Sequence, residues 1–200
     1  MNVMVNGKYY FRIIYIIEKA MDQNLLFNKN TRILAIDDSP FRRGDSFTNI
    51  IGVIIRKDLY IESILKKTIQ VDGTDVTERI MEMLEEKGEG IRIIMIKGIT
   101  FGGFNVLDLG KLYDSYKIPI INFMDHPPDK DAIEAALKKH FRDWEIRLSL
   151  MNSYSKVDDS MFMKTIGIDL RSAVKFSSDL IKNGKIPEPL RIVDLIASVC

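Results

Sequence analysis

Two hundred residues suffice for one domain with a substantial core, and 46% apolar with 28% charged residues is an ordinary globular composition. Twenty-nine Lys and Arg against 28 Asp and Glu leave a net charge of +1. That balance excludes a global basic field, so DNA or RNA would have to be bound through a local patch. The single cysteine, Cys200, excludes an internal disulfide and a thiolate metal cluster, and it fits a reducing compartment.

Residues 1–30 read as an N-terminal extension, helical over Tyr9 to Phe27 and suited to packing or oligomerisation. Its apolar stretch from Tyr9 to Ile17 is broken by Arg12 and falls far short of the roughly 20 residues a membrane span needs. No small-residue cleavage site follows it. A cytoplasmic protein without membrane contact is expected.

The main domain, residues 31–200, opens with the buried-strand run Arg32 to Ile36, which ends at Asp37-Asp38-Ser39-Pro40. Asn49 to Arg56 predicts a second strand and Tyr60 to Val71 a third, with connections short enough for antiparallel hairpins. Val76, Ile80, Met83 and Leu84 then fall at helical spacing, and Gly88 and Gly90 end that helix. Arg92 to Ile96 is apolar on both faces, as in a central strand. A glycine-rich turn over Gly98 to Gly103, a helix over Asn105 to Tyr116 and a strand over Ile118 to Met124 follow. Beyond Pro127-Pro128 the pattern predicts one long helix from Asp129 to about Leu150. A short strand over Phe162 to Ile168 and helices over Asp169 to Ile181 and Pro187 to Val199 complete the chain. Three antiparallel strands followed by alternating helices and strands make an α/β fold with a mixed sheet flanked by helices, the ribonuclease H-like arrangement.

Three constellations carry candidate chemistry. Asp37-Asp38-Ser39 sits where a central strand ends, a place suited to holding a hard cation on oxygen ligands. Only one of the two carboxylates can face a given pocket, because successive strand residues point to opposite faces; the alternative is a turn started by Asp-Ser-Pro. The second, Asp72-Gly73-Thr74-Asp75-Val76-Thr77-Glu78, offers three carboxylates, with Asp75 and Glu78 spaced as a capping box and Asp72 left to bind. The third, Lys97-Gly98-Ile99-Thr100-Phe101-Gly102-Gly103-Phe104-Asn105, gives close backbone approach for a phosphate beside a lysine, or else a tight turn with Asn105 as helix cap. It lacks the Gly-Lys-Ser/Thr of a P-loop. His140 lies in a basic helix with Lys138, Lys139 and Arg142, and His126 follows the fifth strand. No Ser/His/Asp or Cys/His set is recognisable.

Four motifs in order then resemble one archaeal family. Ile36 to Phe41, Ile69 to Asp75, Gly98 to Asn105 and Pro187 to Arg191 are similar to endonuclease dU over about residues 31–200. That family is distantly similar to endonuclease V, a ribonuclease H-like enzyme that cuts beside deaminated bases. The resemblance implies a nuclease needing Mg²⁺, or Mn²⁺ in its place, held by acidic positions. Asp37 matches the first and Asp75 the second, with Asp72 as rival. The third, an Asp-Gly, falls on Lys97-Gly98, where a lysine cannot ligate the ion. Either Asp38, Asp72 or Asp108 substitutes, or the site binds without cutting. The resemblance thus implies Asp37 and Asp75 as catalytic, with Asp72 and Asp38 completing the metal shell. Lys97, Gly98, Phe101, Gly102, Gly103 and Asn105 would line the substrate groove, with Phe101 or Phe104 stacking a displaced base. A non-catalytic nucleic-acid- or protein-binding module on the same fold is the alternative, and an enzyme on another phosphorylated substrate a third.

Overall fold

The computed structural model describes residues 28–124, 126, 129–151, 154–158 and 161–200. The helix expected over Tyr9 to Phe27 lies outside the described residues. The elements are β1 (Arg32–Asp38), β2 (Phe47–Arg56), β3 (Ile61–Gln70), α1 (Val76–Lys87), β4 (Ile91–Lys97), β5 (Thr100–Phe101) and β6 (Asn105–Val106). They continue with α2 (Leu109–Tyr116), β7 (Ile120–Met124), α3 (Lys130–His140), α4 (Trp144–Leu150), β8 (Ser155–Asp158), β9 (Met161–Ile166), α5 (Leu170–Leu180) and α6 (Glu188–Ala197).

Seven strands form one mixed sheet in the order β3-β2-β1-β4-β7-β9-β8. β1, β4 and β7 run parallel, while β2, β3 and β9 run antiparallel to their neighbours. The strand period of two splits the apolar residues of β1 between two cores. Leu34 and Ile36 join Ile80 and Met83 of α1, Leu112 of α2 and Leu137 of α3 on one face. Ile33 and Ala35 join Phe176 and Leu180 of α5 and Leu190 and Val193 of α6 on the other. Every one of these side chains is at most 2% exposed. Each fully buried Ile or Leu is worth roughly 1.5–3 kcal/mol relative to exposure, so β1 and β4, apolar on both faces over Ile33 to Ile36 and Ile93 to Ile96, take the centre.

Three expectations need correction. The helix predicted from Asn105 starts only at Leu109, because Asn105 and Val106 pair with Phe101 and Thr100 as β6 against β5. Asp108 then caps α2 by accepting from the Lys111 N–H at 2.9 Å. The long helix over 129–150 is two helices: Phe141 turns extended (φ −130°, ψ 132°) and closes α3, with its ring edge-on to Phe104 at 5.6 Å. Finally, β8 adds an edge strand that the mixed pattern of 155–158 does not announce.

Candidate active site

The chain leaves β1 toward β2 and leaves β4 toward β7, on opposite sides, so their carboxyl ends flank the point where strand order reverses. In open α/β sheets such a point forms a crevice for ligands. Asp37 is the penultimate residue of β1 there and Lys97 closes β4.

Asp37 follows Ile33 and Ala35 onto the α5–α6 face. Burial pushes its carboxyl up from 3.8 to about 6. The Asp38 N–H, donating to Oδ1 at 3.0 Å, and the Lys97 charge work against that rise, while the carboxylates of Asp38 and Asp194 add to it. Asp194 lies exposed on α6, the helix packed over β1 and β2. The carboxylate of Asp38 points to the opposite face, where its Oδ2 accepts from the Gly102 N–H at 2.7 Å, and burial raises its pKa too. Ser39 is 2% exposed, and its hydroxyl has no partner among the described residues.

The second and third constellations are knitted together. The Asp72 N–H donates to the Gly102 carbonyl at 2.7 Å, and Asp72 Oδ1 accepts from the Phe104 N–H at 2.8 Å. Gly103 has φ +88°, and a Cβ there would lie 2.3 Å from Asp72 Oδ1. Asp75 makes no side-chain cap to α1. Its Oδ1 accepts from the Gln70 N–H at 3.2 Å and from Asn105 Nδ2 at 2.7 Å. Asn105, fully buried, supplies the missing cap from β6: its Oδ1 accepts from the Val76 N–H at 3.1 Å. Glu78, expected to complete a capping box, pairs instead with Lys111, which holds its carboxyl below the usual range.

Arg147 locks the two turns and was not anticipated from the sequence. It is 6% exposed, donates Nη1 to the carbonyls of Gly73 (2.9 Å) and Phe104, and pairs Nε with Asp143 at 3.0 Å. Its guanidinium lies 4.3 Å from the centre of the Phe141 ring. Gly98 is held similarly: Asn122, fully buried, donates to its carbonyl and accepts from the Tyr154 hydroxyl.

Of the predicted residues, Asp37 and Lys97 meet at the strand ends, whereas Asp72, Asp75, Gly102, Gly103 and Asn105 form a neighbouring knot that Asp38 joins. The charges bearing on Asp37 are those of Asp38, Asp194 and Lys97, with Asp75 not among them. Phe101 is 1% exposed and packs in the first core, so its ring is not offered to a base. Asp108 is committed to capping α2. Among the described residues no three His, Cys, Asp or Glu side chains form a group that could hold a metal ion. The donor chemistry at Asp37 fits a hard cation that keeps several waters, because Mg²⁺ is usually bound by one or two carboxylates plus substrate phosphates. A desolvated carboxylate beside further anions is what such an ion would relieve.

The endonuclease dU family model matches residues 29–200. The chain belongs to the endonuclease dU family. A UPF0215 protein from Thermococcus gammatolerans is 34% identical over 176 residues, covering 84% of this chain and 90% of that one. Among solved structures, a protein of unknown function from Archaeoglobus fulgidus superposes with a TM-score of 0.76 at 29% identity, over 84% of this chain and 97% of that one. Endonuclease V from Ciona intestinalis, bound to a 24mer DNA containing an inosine followed by a ribo-adenosine, superposes with a TM-score of 0.58 at 11% identity, over 93% of this chain and 96% of that one. The last likeness is one of fold, and it confirms the ribonuclease H-like arrangement.

Proposed function

We propose that this endonuclease dU family protein is a divalent-metal-dependent endonuclease acting on nucleic acid that carries a modified or deaminated base. Membership of the family and the fold shared with endonuclease V support a nuclease. The observation that carries the site is the burial of Asp37 at the end of β1, beside Asp38 and Asp194 and with its pKa raised to about 6. Burying a carboxylate is costly unless something offsets its charge.

Asp37 is the primary candidate to hold Mg²⁺ or Mn²⁺, and Asp194 is the carboxylate of α6 whose charge bears on it. Asp38 and Asp75 each keep one oxygen outside the hydrogen bonds described, and Asp72 does likewise; Asp75 supports the knot and is the weakest of these ligand candidates. A bound ion would activate water and stabilise the leaving oxygen of a phosphodiester. Lys97 supplies a fixed positive charge at the carboxyl end of β4 and suits contact with a backbone phosphate.

Lys97 also favours a second reading, a nucleic-acid-binding module without cleavage, because it places an ammonium where the resemblance expects an acid. Incubating the protein with Mg²⁺ and oligonucleotides containing inosine, uracil or no lesion separates the two. Cleavage that EDTA and Asp37→Asn both abolish is expected. Binding without cleavage supports the module. Cleavage that survives Asp37→Asn removes Asp37 from the site.

A further inference from the structure

We infer that the β1–β2 hairpin loop grips unpaired bases of the nucleic-acid strand next to Asp37, with Phe41 and Phe47 as stacking platforms and Arg42 and Arg43 as phosphate contacts. This inference rests on the endonuclease reading and extends it to how the strand is held. Phe41 is 40% exposed and Phe47 60%, large apolar surfaces that a polar loop does not need. Between them Arg42 and Arg43 are exposed, and among the described residues neither guanidinium forms an ion pair. Aromatic rings interleaved with cations on a surface are the elements of sequence-tolerant strand binding.

The loop is built rather than loose. The Arg42 N–H donates to Asp45 Oδ2 at 2.7 Å, and the Asp45 N–H returns to the Arg42 carbonyl at 3.0 Å. Gly44 takes φ +100° to close this turn. Asp45 is thus spent on holding the turn that presents the two arginines.

Register ties the loop to the site. The Ser39 N–H donates to the Asn49 carbonyl at 2.8 Å, Asp37 lies opposite Ile51, and Phe47 lies opposite Gln70. Phe47, Asn49 and Ile51 alternate with Thr48 and Ile50, so they share the face of Asp37. On that face Lys66 of β3 is exposed as well. Phe47 stands four residues along β2 from the position opposite Asp37, about 13 Å at 3.3 Å per residue. That length matches about four stacked nucleotides at 3.4 Å each. A strand whose phosphate reaches Asp37 would therefore lay its next bases over this patch.

Both rings and both guanidinia are exposed, so their removal leaves the core intact, and thermal melting should confirm it. Binding is measured by fluorescence anisotropy in EDTA, so that no strand is cut, with single-stranded DNA, single-stranded RNA and paired duplex as probes. Phe41→Ala and Phe47→Ala should each weaken single-strand binding roughly tenfold. Arg42→Gln with Arg43→Gln should flatten the dependence of log affinity on log salt by about 1.4. Phe47→Trp should keep the affinity and add a fluorescence signal that the oligonucleotide quenches. Wild-type affinity in all the alanine and glutamine variants would overturn the loop assignment while leaving the nuclease reading intact. Failure of the wild-type protein to bind any of the three probes would overturn both.

Discussion

The end of β1 and the start of α1 both present carboxylates, yet they treat them oppositely. Asp75 receives two hydrogen-bond donors and sits 3.6 Å from Arg79. Its neighbour Asp72 receives the Phe104 N–H, and Arg147 staples the turn shut. Asp37 receives one backbone N–H, is desolvated, and is crowded by Asp38 and Asp194. A carboxylate with one oxygen tied to backbone and amide donors holds a fold together. A carboxylate largely withdrawn from water with too few donors favours a cation or a proton beside it, a perturbation of the kind that clusters at functional sites.

That contrast can be broken most sharply by Asp37→Asn. Cleavage should fall by at least about a hundredfold if the carboxylate holds the ion, with loss of activity read on the lesion-containing strand. The same change should leave the protein more stable at neutral pH. The native pKa of about 6 lies above the ordinary 3.8, so folding is most favoured below 3.8 and loses that advantage as pH rises through 6. Removing the charge should restore stability on the order of 3 kcal/mol above pH 7 and nothing below pH 4. Urea unfolding of both proteins at the two pH values checks it. Equal stability at both would show that Asp37 is not held in a desolvated site.

At the other region the expected loss is in stability. Arg147→Met removes the donors to Gly73 and Phe104 and leaves Asp143, whose carboxyl Arg147 holds below its usual pKa, without its partner. A cost of about 3–5 kcal/mol follows from losing two hydrogen bonds to a charged donor, at roughly 1.5–3 kcal/mol each; Asp143, with 36% of its side chain exposed, stays solvated and adds little. Gly103→Ala should cost less, about 1–3 kcal/mol, through the left-handed φ of +88° and the clash with Asp72. Chemical denaturation reads both. A neutral Arg147→Met would mean that the two turns hold together without their clamp.

The sheet core was legible because β1 and β4 are apolar on both faces and α1 keeps a clean helical spacing. Asp37 was legible because it ends the first such run. The knot was not, because its partners are distant in sequence: Asn105 caps a helix that begins 29 residues earlier, and local patterning assigned it to the helix that follows. Arg147 looked like an ordinary helix charge for the same reason. Asp194 lay in a helix whose apolar stripe, Leu190, Val193 and Ala197, says only that one face packs; that the next residue bears on Asp37 depends on where the sheet sits beneath it. Phe101 misled because its glycine-rich surroundings suggest an open turn, whereas β5 folds the ring inward.

Lys97 gives the finest test of the comparison. Its charge lowers the Asp37 pKa and is the last of the causes acting on it, so Lys97→Met should raise that pKa by less than about one unit. A carboxyl-resolved NMR titration in metal-free buffer would read the shift, and a midpoint that stays put or falls would separate Lys97 from the site. Lys97→Asp puts an acid at the carboxyl end of β4, where the endonuclease V resemblance expects one. The like charge should raise the Asp37 midpoint further without metal, yet it should also tighten Mg²⁺ binding, since a third oxygen donor becomes available. Opposite responses to proton and to metal in one variant would locate the ion beside both side chains. A rise in pKa with unchanged Mg²⁺ affinity would make Lys97 a phosphate contact rather than an occupant of a ligand position.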